Sequence, residues 1–159
     1  MGGNLGDVAA RLQDALRGLA DLPGTQVESV SALYRTKPVD ASGPDYLNAV
    51  AVLQSSLGPH ELLQALLALE LTHDRERPYQ NAPRTLDLDL LWYGAYTCQT
   101  RSLTLPHPRM MQRAFVLLPL AEVLKSLAGH EMPVLPDAAA VAALAQAQGI
   151  EPAGLLDLT

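Results

Sequence analysis

Two stretches rich in β-favouring residues, Gln26 to Thr36 and Tyr46 to Ser55, are joined by residues 37–45 alone, which hold two prolines and a glycine. Parallel neighbours need a crossover of a dozen or more residues, so strands joined this closely run antiparallel. This one link excludes a wholly parallel, doubly wound sheet. Helical patterns lie on both sides of the pair. Val8, Leu12, Ala15, Leu16 and Leu19 form an apolar stripe that Asn4 or Asp7 is placed to cap and Leu22-Pro23-Gly24 ends. Pro59-His60-Glu61 opens a second helix, whose leucines at 62, 63, 66, 67, 69 and 71 run to about Thr72.

A third strand is expected over Thr85 to Tyr93, closed by Gly94, then a short extended stretch near Leu103 to Leu105. Helices are expected over Arg113 to Leu124 and, rich in alanine, over Asp137 to Gln148. The fold class is α+β, with a mostly antiparallel sheet and helices packed on one face. The order α-β-β-α-β would make better sense as β-α-β-β-α-β with its opening strand cut off. No repeat or long linker divides the chain, so residues 1–159 are expected to form a single domain.

Composition removes several classes. The chain is 48% hydrophobic and 18% charged, too apolar for a disordered segment, and it has no apolar run of the ~18 residues a membrane span needs. Cys98 is the lone cysteine and the N-terminus lacks secretory features, so a cytoplasmic protein is expected. The net charge of −6 repels polyanions on average, which argues against nucleic acid. The distribution is uneven. Residues 1–74 hold 4 basic and 9 acidic side chains, and residues 114–159 hold 1 and 5. Residues 75–113 hold six arginines (Arg75, Arg77, Arg84, Arg101, Arg109, Arg113) against Glu76, Asp87 and Asp89, a balance of +3. Arginine's planar fork suits phosphate or carboxylate oxygens, so the segment fits either a small polyanion or a solvated basic surface.

Within it, Arg84-Thr85-Leu86-Asp87-Leu88-Asp89-Leu90-Leu91 alternates strictly. In a strand the leucines enter the core while Asp87 and Asp89 project together, roughly 6.5 to 7 Å apart at Cα. Two such carboxylates either converge on a hard cation, magnesium being the natural choice, or form a wet strand face. Neighbouring arginines and Pro106-His107-Pro108 favour the cation, because magnesium binds through one or two carboxylates plus phosphate oxygens while arginines neutralise the rest. No P-loop exists, and Gly2-Gly3-Asn4-Leu5-Gly6-Asp7 reads as a tight turn rather than a phosphate cradle. The histidines and Cys98 show no zinc-ligand spacing. Tyr46 and Phe115 border a cleft in this reading, with core packing the other role open to Phe115.

Gly-Gly-Asn-Leu-Gly-Asp (2–7), Ser-Ala-Leu-Tyr-Arg-Thr-Lys-Pro (31–38), Pro-Asp-Tyr-Leu-Asn-Ala (44–49), Pro-Arg-Thr-Leu-Asp-Leu-Asp-Leu-Leu (83–91) and Leu-Pro-His-Pro-Arg-Met (105–110), in that order, resemble the 6-hydroxymethyl-7,8-dihydropterin pyrophosphokinase family of folate biosynthesis. The resemblance runs from residue 2 to about 125. It implies a ferredoxin-like domain, a monomer, that moves the pyrophosphoryl group of ATP to the pterin hydroxymethyl oxygen and releases AMP. Asp87 and Asp89 would hold two Mg²⁺ ions, with Asp87 also at the pterin. Tyr46 and Phe115 would sandwich the pterin while Asn48 and the Thr36, Pro38 and Val39 loop read its edge. Arg75 and Arg84, both catalytic in this scheme, would carry ATP phosphates together with Arg77, His107 and Arg113. Loops 36–45 and 73–84 would be lids that exclude water.

The chain departs from the family at Gln80-Asn81-Ala82, where many members have Arg-Trp-Gly, at Pro108, where an aromatic often follows the histidine, and in the opening strand. Two other classes are weighed: another metal-dependent phosphoryl or nucleotidyl transferase on a ferredoxin-like fold, and a non-catalytic nucleotide-binding module. The aromatic pair with Asn48 argues against the first, and the Asp87/Asp89 pair against the second.

Overall fold

In the computed structural model, which describes residues 1–38, 43–73, 85–125, 127 and 133–158, the chain opens on strand β1 (Gly2–Gly3) rather than the expected turn. Strand pairing overrides the local turn preference, and the turn comes at Gly6 with φ +68°. Asp7 then caps α1 (Val8–Ala20): its carboxylate accepts from Ala10 N at 3.1 Å. The helix buries Val8, Leu12, Ala15, Leu16 and Leu19, the stripe its spacing predicts.

Each of the two expected strands is divided. The first becomes β2 (Thr25–Val30) and β3 (Leu33–Thr36), the second β4 (Tyr46–Asn48) and β5 (Ala51–Ser55). The break has a hydrogen-bonding cause. Ser31 N donates to Val50 O at 2.9 Å, Val50 N donates to Ser31 Oγ at 3.0 Å, and Ala32 N donates to Glu122 Oε1 at 3.0 Å. Side-chain acceptors that capture ladder N–H groups end the regular pairing. Helix α2 (Pro59–Thr72) matches its predicted span.

The 85–93 stretch is not the continuous strand its alternation predicts. Asp87 bridges Gly2 and Tyr93 bridges Tyr96, with no ladder between among the described residues. A strand needs a partner, and among the described residues no strand pairs with the side of 88–94 that lines a cavity with β5. The chain continues through the hairpin β6 (Cys98–Gln99) and β7 (Thr104–Leu105), a 3-10 turn at Met110–Gln112, α3 (Ala114–Leu124), α4 (Ala138–Ala147) and β8 (Glu151–Gly154). The larger sheet has the order β1-β4-β3-β8, β2 pairs with β5, and every ladder among the described residues is antiparallel. The fold is therefore α+β.

Two apolar clusters hold it together. Val8, Leu12, Leu66, Leu86, Leu88, Leu33 and Ala49 bury α1 and α2 against the strands. Val50, Met110, Val116, Leu120 and Val123 bury α3. Ala49 and Val50 are adjacent in an extended chain and so face opposite sides, which corrects the expectation that all helices share one face. No helix among the described residues is long and apolar enough to cross a membrane.

Candidate active site

Gly2 lies opposite Asn48 on β4 and opposite Asp87 on its other side. Gly2 N donates to Asp87 O at 2.9 Å and Asp87 N donates back to Gly2 O at 2.7 Å. Directly opposed residues of antiparallel strands share a sheet face, so Asn48 and Asp87 stand on the same side, two strand spacings or roughly 10 Å apart, with glycine as the floor between them. A Cβ at Gly2 would meet Asn48 Oδ1 at 2.6 Å, closer than real contacts allow. Asn48 is buried and its Nδ2 donates to Thr36 Oγ1 at 3.2 Å. Tyr46, two residues before Asn48, shares its face and is half-buried, as is Pro38 beyond β3.

Asp89 follows Asp87 on that face. Leu86 and Leu88 are buried, Asp87 is half-buried and Asp89 is exposed, as the alternation predicts. Behind the pair stands Glu70 of α2, 1% exposed, whose Oε1 accepts from Leu88 N at 2.7 Å. The sequence reading missed this residue. Its signal is the spacing Leu62, Leu66, Glu70, which puts an acid on a core-facing stripe. The carboxylate anchors the backbone between the two aspartates.

His107 feels the charge of Asp89. Its backbone N–H donates to Leu91 O at 2.7 Å, and its ring Nδ1 accepts from Arg109 N at 3.2 Å, which leaves the proton of the neutral ring on Nε2. Burial pushes the imidazole below its ordinary 6.5; Asp89 opposes that shift, while Arg113 and then Arg109 add to it. The Arg113 guanidinium lies 5.4 Å from the centre of the Phe115 ring, and Phe115 is partly buried against the second apolar cluster. Both residues sit at the start of α3. That end is held by Gln148, whose Oε1 accepts from Ala114 N at 2.9 Å and whose Nε2 donates to Gln112 O at 3.1 Å. The C-terminal segment thus tethers this end of α3 and adds β8 to β3.

Thr36 on β3, Tyr46 and Asn48 on β4, and Asp87 through its bridge to β1 are thus brought together, with the charges of Asp89 and Arg113 both felt at His107. Val39, Arg75, Arg77 and Arg84 lie outside the described residues. The described residues hold no cluster of three or more histidine, cysteine or acidic side chains suited to a metal. Two carboxylates without thiolate fit a hard cation that takes its other ligands from water or phosphate, and do not fit zinc. Chemically, such an arrangement suits polyphosphate transfer assisted by a hard cation.

The profile of the 7,8-dihydro-6-hydroxymethylpterin-pyrophosphokinase family matches residues 1–125. The chain is 47% identical over 123 residues to the 2-amino-4-hydroxy-6-hydroxymethyldihydropteridine pyrophosphokinase of Synechocystis sp., covering 77% of this chain and 63% of that protein. It is 40% identical over 139 residues to the protein of that name from Pseudomonas aeruginosa, covering 85% and 86% of the two chains. For the Bacillus subtilis protein of that name the identity is 34% over 152 residues, covering 95% and 91%. The chain belongs to the 7,8-dihydro-6-hydroxymethylpterin-pyrophosphokinase family.

Proposed function

We propose that this chain transfers the pyrophosphoryl group of ATP to the hydroxymethyl oxygen of 6-hydroxymethyl-7,8-dihydropterin, in folate biosynthesis. The acceptor oxygen bonds to the β-phosphorus, the bond from that phosphorus to the α-β bridging oxygen breaks, AMP leaves with that oxygen, and the hydroxyl proton is released. The observation that carries this reading is the placement of Asn48 and Asp87 on one sheet face across a side-chain-free Gly2. In this reading the flat heterocycle lies between these two side chains and is hydrogen-bonded at both edges.

In this scheme Asn48, Asp87 and the Thr36, Pro38 and Val39 loop read the pterin edge, and Tyr46 and Phe115 stack on its faces. Asp87 and Asp89 hold two Mg²⁺ ions, which when bound neutralise phosphate charge. Arg75, Arg77, Arg84, Arg113 and the Nε2–H of His107 bind the phosphates and the charge that develops as the group moves. The same reading makes residues 1–159 one ferredoxin-like domain, acting as a cytoplasmic monomer on small molecules, without nucleic acid or membrane. Measuring AMP release from ATP with the reduced pterin across a Mg²⁺ titration tests it. AMP and diphosphorylated pterin should form in equal amounts and only with the cation; AMP without pterin product, or product without Mg²⁺, would overturn it.

A further inference from the structure

The first N–H groups of α3 need partners from outside the helix. Arg113, the residue at its cap, supplies no side-chain bond there. A serine or aspartate would supply one, but would remove the guanidinium that the proposed site needs. The bond comes instead from Gln148, 34 residues further on, whose Oε1 accepts from Ala114 N at 2.9 Å. The Nε2 of the same side chain donates to Gln112 O at 3.1 Å. One amide therefore holds the backbone on both sides of Arg113. Only one orientation of the amide makes both bonds, because its oxygen accepts and its nitrogen donates.

Gln148 is itself fixed by the close of α4. Gln148 N donates to Leu144 O at 3.0 Å, Gly149 N to Gln146 O at 3.2 Å and Ile150 N to Ala145 O at 3.0 Å. Gly149, at φ +63°, makes a turn that a residue with a side chain would resist. Glu151 then pairs with Arg35 and Pro152 with Tyr34. From Gln148 to Glu151 the chain can span at most about 10 Å, so the two attachments are close together. On β3 and β4, Tyr34 lies opposite Asn48 and Thr36 opposite Tyr46. The segment from Gln148 to Pro152 thus ties the start of α3, where Arg113 lies over the Phe115 ring, to the strands that carry Thr36, Tyr46 and Asn48. The far end of α3 has its own fastening, in which Tyr34 Oη donates to Glu122 Oε2 at 2.7 Å. Gln148 therefore governs the first turn.

We propose that Gln148 is a positioning residue: it acts through the backbone at Gln112 and Ala114 to hold Arg113 and Phe115 in fixed relation to Thr36, Tyr46 and Asn48. The inference rests on the site roles proposed above for Arg113 and Phe115. It extends the site beyond residues 1–125, the span of the family match.

The test is Gln148→Met in the full chain, because methionine is close to glutamine in volume and makes neither bond. Gln13→Met is the control. Gln13 Nε2 donates to Asp157 O at 2.7 Å and Asp157 N donates to Gln13 Oε1 at 2.9 Å, so this residue too fastens the C-terminal segment by two bonds, but to α1. Both variants should lose stability to a similar extent in denaturant unfolding. Only Gln148→Met should lose kcat for AMP release, by about 10- to 100-fold, the scale of a small misplacement of a reacting group. Its affinity for a non-hydrolysable ATP analogue should fall about tenfold, while Gln13→Met stays within about twofold of the parent chain in both measures. Unchanged kcat and affinity in Gln148→Met, or equal losses in the two variants, would overturn the inference. A parent chain that releases no AMP would sink the proposed reaction instead, and the comparison of affinities would then decide the role of Gln148.

Discussion

At Gly2 the constraint is steric. The 2.6 Å approach of a hypothetical Cβ to Asn48 Oδ1 means that Gly2→Ala must displace the side chain proposed to read the pterin edge. Pterin affinity should fall by about tenfold or more, on the scale of one lost buried hydrogen bond, while ATP affinity changes little. Fluorescence titration with the pterin and calorimetry with an ATP analogue separate the two. The aspartate pair was legible in the sequence because alternation is a local signal: Leu86 and Leu88 are buried beside the more exposed Asp87 and Asp89. The role of Gly2 was not, since it depends on neighbours from residues 48 and 87 that only tertiary pairing brings together. Glu70 was hidden for the same reason, its partner Leu88 lying 18 residues away.

Among the elements, helices were legible almost to the residue, because caps and apolar stripes are encoded within a few turns. Strand ends were not: the division between β2 and β3 depends on Glu122, 90 residues from Ala32. Glu122 also accepts from Tyr34 Oη at 2.7 Å, fastening α3 to β3. Burial first, and then this carboxylate, push the Tyr34 phenol up to about 12 from its ordinary 10.0. Because the folded value is the higher, this contribution to stability is present below pH 10 and lost as pH rises through about 12. Ultraviolet titration of Glu122→Gln should show the phenol ionising earlier than in the parent chain. The start of α3 depends on a tail residue in a comparable way. Gln148→Ala removes two hydrogen bonds and should cost about 1 to 2 kcal/mol in denaturant unfolding.

Across the whole molecule, the half-buried His107 sets a pH trend. Burial first, then Arg113 and Arg109, lowers it from 6.5 against the opposing charge of Asp89. The unfolded chain therefore binds the proton more readily, so the stability from this group is fully present above 6.5 and is lost as pH falls through the folded value. Denaturant midpoints taken below and above 6.5 should show the increase, and His107→Gln should remove that part of it. The α+β class followed from one short loop between two strands. Placement of helices on both sides of the sheet did not, because it rests on which of Ala49 and Val50 meets which helix.

The site proposal stands or falls on the exposed carboxylate of Asp89 at its centre. The decisive measurement is the rate of AMP release by Asp89→Asn with ATP, Mg²⁺ and the reduced pterin, taken beside the pterin dissociation constant of the same variant. Turnover should fall by about a thousandfold or more while pterin binding stays within about threefold, because a group that acts on transferring phosphate is felt in the transition state rather than in acceptor binding. Turnover close to that of the parent chain, with pterin bound equally well, would contradict the assignment of Asp87 and Asp89 as the cation-binding pair.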